Sequence, residues 1–173
     1  MSIPDQDVEL LRKETSKILA QHRAWLKHNF TTAGAGELLE RGASVFDRVL
    51  AMAFPTLAAG MSDSIALVAL GSYGRQEVCP HSDLDLLILH RELPKRKLEE
   101  FGSRLLGLLW DQKISVGHSI RTVEQCLKIS EKDYSVLTSL LDARLVAGSP
   151  QLLAELTKGV ERGLAAARKA YFS

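Results

Sequence analysis

A chain of 173 residues is long enough for one sizeable core and short for two. Its 46% hydrophobic and 25% charged content is ordinary for a globular domain, and 22 Lys plus Arg against 21 Asp plus Glu leave a formal net charge of +1. That balance excludes the broad basic surface of a general nucleic-acid or membrane-surface binder and leaves room only for a local basic patch.

In chain order, Asp5 to about His28 reads as a helix, with Leu11, Ile18 and Trp25 recurring at helical spacing. Thr31 to Gly36 is a turn, and a second helix is predicted from Glu37 to near Phe54, where Pro55 marks its end or a kink. Ile65 to Leu70 and Leu84 to Leu89 are continuous apolar runs of strand length, the pattern of strands buried on both faces. Pro94 opens a charged helix, Lys95 to Trp110, with Leu98, Phe101, Leu105 and Leu109 on one face. Lys113 to Ile120 alternates as a third strand. From Thr122 the chain reads as helical to the end, broken at Gly148-Ser149-Pro150, with Ser149 as a cap and Pro150 at the first helical position. These elements predict an α/β fold of the α+β type, a small mixed sheet of about three or more strands with flanking helices.

Cys79 and Cys126 stand far apart and outside any metal-ligand spacing, so two free thiols in a reducing compartment are expected. The opening MSIPDQDVELLRKE lacks the pattern of a signal peptide, and no apolar run reaches bilayer-spanning length. A cytoplasmic location is the expectation.

The chemistry concentrates in 65-IALVALGSYGRQEVCPHSDLDLLIL-89. Residues two apart in a strand share a face, so Asp83 and Asp85 can hold one divalent cation or bracket two, with Leu84 and Leu86 anchoring the opposite face. Without a cation, neighbouring carboxylates repel. Gly71 lets the backbone turn sharply beside a ligand, and the amides that follow it, the Ser72 hydroxyl and Arg75 could receive phosphate. Either motif alone is commonplace turn chemistry. Their conjunction, a strand, Gly-Ser, then Asp-x-Asp opening a second strand, is a specific pattern with a mechanism: in-line transfer with metal-steadied oxygens and donors on the departing pyrophosphate.

This pattern resembles the signature of DNA polymerase β-type nucleotidyltransferases, and more closely the N-terminal domain of bacterial protein-PII uridylyltransferases. The resemblance runs from Ala66 to Gly148 through ALVALGSYGRQEVCPHSDLDLLIL, LLGLLWDQKISVGHSIRTVEQCL and TSLLDARLVAG. It implies transfer of UMP from UTP to a tyrosine of the nitrogen-signalling protein PII, with Mg²⁺ or Mn²⁺ required. It places Gly71 and Ser72 on the phosphate-binding turn, Asp83 and Asp85 on the metal-binding aspartates, and Arg75 with Glu77 on a GRxE segment. The implied organisation is N-terminal helices over 1–60, a nucleotidyltransferase core over 61–121 and a helical segment over 122–173.

The chain departs from the family where Ser72 and Gln76 replace glycines, and Ile114 to Arg121 carries no third carboxylate, leaving Asp111, Glu77 or a group outside this chain to complete the site. His118 reads as a packed strand residue or a site neighbour, Arg121 as a phosphate ligand or a capping or surface residue. Tyr73 reads as a packing residue or a base-stacking one, and Asp142 with Arg144 as helix-surface or interhelical contacts. The family's UMP-removing hydrolase and glutamine-sensing domains have no counterpart here, which suggests a fragment of a longer protein. Besides the enzyme reading stand a nucleotide-binding or regulatory module without turnover and a nucleotidyltransferase with another acceptor.

Overall fold

The structure, a computed structural model, describes residues 4–171. Helices α1 (Asp5–Asn29) and α2 (Ala35–Leu57) pack on each other ahead of strand β1 (Ile65–Ala69). A single helical turn, α3 (Gly71–Gly74), and a loop lead to β2 (Leu84–His90), followed by α4 (Lys95–Trp110) and β3 (Val116–Arg121). Then come α5 (Val123–Ser130), α6 (Tyr134–Leu141), β4 (Arg144–Gly148) and α7 (Pro150–Tyr171).

The four strands form one mixed sheet in the order β3-β2-β1-β4. β1 is antiparallel to both β2 and β4, and β2 is parallel to β3. Alternate residues of the central strands feed two apolar layers. Leu67, Leu84, Leu86 and Ile88 meet α1, α2 and α4 on one face, while Ala66, Val68, Leu87 and Leu89 meet α5, α6 and α7 on the other. Helices on both sides explain why β1 and β2 read as unbroken apolar runs although their pairing is antiparallel.

Three expectations are corrected. β3 runs over Val116–Arg121 rather than from Lys113, which takes a left-handed φ of 60° in the turn after α4. α2 continues through Pro55 to Leu57: a proline this near the helix end removes one hydrogen bond, the one the carbonyl of exposed Ala51 would accept. The segment after Thr122 is not helical throughout: Arg144–Gly148 is an edge strand, joined to β1 with a bulge at Leu67/Val68. Its Arg, Leu and Ala residues favour helix intrinsically, and pairing with β1 overrides that preference. Cys79 is exposed and Cys126 buried, both free. Among the described residues no helix is long and apolar enough to cross a membrane.

Leu67 is fully buried in the centre of the sheet. Leu67→Ala is expected to lower unfolding free energy by about 2–5 kcal/mol, measured by urea denaturation.

Candidate functional site

The β1–β2 pairing builds the site. Ala69 lies opposite Leu86, and the ladder extends one step further as the Leu70 N–H donates to the Asp85 carbonyl at 3.0 Å. The chain leaves β1 beside the carboxylate that opens β2. Gly71 takes φ of +53°, a left-handed conformation that costs glycine little, and a Cβ placed on it would lie 3.5 Å from Asp85 Oδ2. The bend and the aspartate therefore face each other. The amides of Gly71, Ser72 and Tyr73 precede the first bond of this turn, from the Gly74 N–H to the Leu70 carbonyl at 2.9 Å.

Across the parallel ladder Asp85 pairs with Gly117, where a Cβ would fall 2.6 Å from Asp85 Oδ1. Only the missing side chain at 117 lets the carboxylate lie in its present position. Asp83 and Asp85 are exposed, whereas Leu84 and Leu86 are buried on the opposite face, as the alternation requires. Burial between the two glycines, and then the charge of Asp83, hold the Asp85 carboxyl above its usual range. Among the described residues neither carboxylate has an ion-pair partner within 4.0 Å. Two adjacent hard-oxygen donors without a counter-charge fit a divalent cation. Among the described residues they are not joined by a third His, Cys, Asp or Glu in a metal-binding group.

A second set of residues fixes the bend. The Arg144 guanidinium donates to both oxygens of Asp47, at 2.8 and 3.0 Å, and to the carbonyls of Tyr73 and Gly74, both at 3.1 Å. The Tyr73 hydroxyl donates to Asp47 Oδ1 at 2.7 Å. Burial, then the Asp47 charge, push this phenol far above its ordinary pKa, so it remains a donor. One half-buried network thus ties α2 and β4 to the C-terminal half of the α3 turn. Tyr73 is fully buried, which favours its packing role over base stacking. Arg144 and Asp142 are not contacts on a helix surface: Arg144 opens β4, and Asp142, just past α6, accepts from Arg75 at 2.6 Å.

Arg75 also donates to Glu77 at 2.8 Å, so its guanidinium is engaged by two carboxylates. Glu77 lies in that pair, and Asp111 pairs with Arg12 at 3.2 Å. His118 is opposite Leu86, on the face away from the Asp85 carboxylate, with its ring edge-on to Trp110 at 6.4 Å between centroids. Arg121 pairs with Leu89, four residues along β2 from Asp85 and so roughly 13 Å away along the strand. Sequence reasoning passed over Gly117 and Asp47, and it gave Arg144 only a helix-surface or interhelical contact. A lone glycine in a strand signals a close approach, so Gly117 could have been found. The ion pair joins residues 97 apart and leaves no local signal.

The family model described as "Putative nucleotidyltransferase DUF294" matches residues 23–111, just over half the chain and the whole of the Gly-Ser turn and aspartate pair. The chain belongs to this nucleotidyltransferase family. It is 42% identical over 115 residues to a bifunctional uridylyltransferase/uridylyl-removing enzyme of Pseudomonas putida, covering 66% of this chain and 13% of that protein. The enzyme of the same description from Vibrio vulnificus is 38% identical over 141 residues, covering 82% of this chain and 16% of the relative. The chain thus spans less than a fifth of the length of these relatives. A solved toxin–antitoxin structure with AMP-PNP aligns at 18% identity with a TM-score of 0.39, over 67% of this chain and 90% of that one, a likeness too distant to carry an argument. The protein is a nucleotidyltransferase domain related to uridylyltransferases.

Replacing Arg144 by Leu leaves the half-buried Asp47 without its counter-charge and with the Tyr73 hydroxyl as its remaining donor. The variant is expected to lose about 1–3 kcal/mol of stability by chemical denaturation, with the loss shared by Asp47→Leu rather than added in the double variant.

Proposed function

We propose that this domain transfers UMP from UTP to a tyrosine hydroxyl of the small nitrogen-signalling protein PII, releasing pyrophosphate. The observation that carries the reading is the apposition of the Gly71 bend and the unpaired Asp83–Asp85 carboxylates. In this reading the amides of the Gly71-Ser72 turn and the Ser72 hydroxyl bind the triphosphate. Asp83 and Asp85 hold Mg²⁺ or Mn²⁺. The bound cation supplies charge neutralisation at the α-phosphate and acidifies the incoming hydroxyl. The tyrosine oxygen forms a bond to the α-phosphorus as the bond from that phosphorus to the bridging oxygen of pyrophosphate breaks, and the phenolic proton passes to solvent. Arg75 is in reach of the turn by sequence, and joins the phosphates if it leaves Glu77 and Asp142. The kinship with bifunctional uridylyltransferases supports a uridylyl donor; the PII acceptor and a cytoplasmic setting are part of the same proposal.

The second reading is a nucleotide-binding module without turnover. It is favoured by the pair of carboxylates standing without a third among the described residues. Incubating the chain with each of four nucleoside triphosphates, with and without purified PII, and following pyrophosphate separates the two. Release with UTP only when PII is present supports the transferase. Release with another nucleotide redirects the donor, release without PII redirects the acceptor, and tight UTP binding with no release supports the module.

Asp83→Asn and Asp85→Asn are expected to cut UMP transfer on the order of 10²–10³-fold or more. Each is expected to melt at or above the wild-type temperature at pH 7, since burial and the charge of Asp83 disfavour the ionised Asp85 and either substitution removes that repulsion. A chelator of divalent ions is expected to abolish transfer, restored by excess Mg²⁺. Gly117→Ala meets only the flexible end of Asp85, so it is expected to displace the carboxylate and reduce transfer at least about tenfold. Its calorimetric melting temperature is expected to stay close to wild type.

A further inference from the structure

Outside the aspartate site, a cavity of about 210 Å³ opens between the α1–α2 pair and the loop that runs into Asp83. Its floor is apolar, formed by Leu19, Leu26, Leu38, Phe46 and Val78. Its polar wall carries Arg23 and Lys113, and among the described residues no Asp or Glu lines it. In a chain whose charges nearly cancel, a pocket with cations alone is a local departure from the whole.

His22 also lines the cavity. It is only 8% exposed, and its Nδ1 is buried without a hydrogen-bond partner. An orphaned buried nitrogen costs free energy that a ligand's polar group would recover. Burial, and then the charges of Arg41 and Arg23, lower the pKa of this imidazole, so it is neutral at pH 7 and can accept or donate at Nδ1 according to tautomer. The backbone adds an independent sign. Of the three non-glycine residues with left-handed φ among the described ones, His81 (71°) and Lys113 (60°) both line the cavity. Such conformations concentrate where a ligand or a function maintains them.

We propose that this cavity is a binding site for a small amphipathic monoanion, a single-ring apolar body whose carboxylate-type charge lies against Arg23 and Lys113 and whose polar substituent meets His22. The volume is below the roughly 300–1,000 Å³ of pockets for drug-sized ligands, so a whole nucleotide is too large. The site is separate from the aspartate face and does not depend on the transfer reaction. It adjoins that face through the backbone: Ser82 and Ser115 line the cavity, Ser82 precedes Asp83, and the Leu84 N–H donates to the Ser115 carbonyl at 3.0 Å.

The test is an NMR titration of the isotope-labelled full chain with 4-hydroxybenzoate, and in parallel with uncharged 4-hydroxybenzamide. Saturable shifts at the amides of His22, Phe46 and Ser82 are expected with the anion, at least about tenfold weaker with the amide. Lys113→Asn, which keeps a residue tolerant of left-handed φ, and Arg23→Gln are each expected to weaken the anion about tenfold. His22→Leu is expected to remove the contribution of the ring hydroxyl, so that benzoate and 4-hydroxybenzoate bind that variant alike. No saturable shift at these amides, equal affinity for anion and amide, or unchanged affinity in whichever charge variant folds overturns the proposal. Because UTP is absent from every arm, these outcomes are independent of whether the chain transfers UMP.

Discussion

The antiparallel pairing of β1 with β2 is the constraint on which the site rests. Its register sets Leu70 against Asp85, so the bend that ends one strand and the carboxylates that open the other meet by construction. Apolar burial on both faces of these strands holds the register, because a slip of one residue would turn Asp85 into the core and Leu84 or Leu86 into water. The greasy runs on either side of the Gly-Ser and Asp-Leu-Asp segments are thus part of the chemistry: they fix where charge can stand.

Around that pairing the chain spends small residues and polar bonds in complementary ways. Glycine at 71 and 117 leaves space on either side of one carboxylate, while Arg144, Asp47 and Tyr73 remove freedom from the backbone of the bend. The result is a pair of carboxylates without a counter-charge among the described residues, beside a bend held by hydrogen bonds to its backbone. Burial and the neighbouring charge of Asp83 both oppose ionisation of Asp85.

Much of this was readable from the residues. The two apolar runs, the α4 face and the Asp-x-Asp spacing depend on short-range periodicity, and each sits where the pattern put it. β4 was not readable, since Arg144 to Gly148 has no alternation and the partner that makes it a strand is almost eighty residues away. The face of His118 was equally hidden, because it depends on whether Gly117 or its neighbour pairs with Asp85, and a one-residue choice of register reverses every side chain. For Arg75 sequence supplied the charge near the bend, but Asp142, 67 residues on, was needed to say where the guanidinium rests.

The late position of β4 bears on how the domain can be excised. The segment that carries the family match ends at residue 111, before β3 and β4 begin. A protein trimmed to those limits would retain both aspartates yet lose the strands on either flank of the central pair, leaving two bare hydrogen-bonding edges that invite intermolecular association. Minimal expression boundaries therefore have to reach past Gly148, well beyond the motif that makes the chain recognisable.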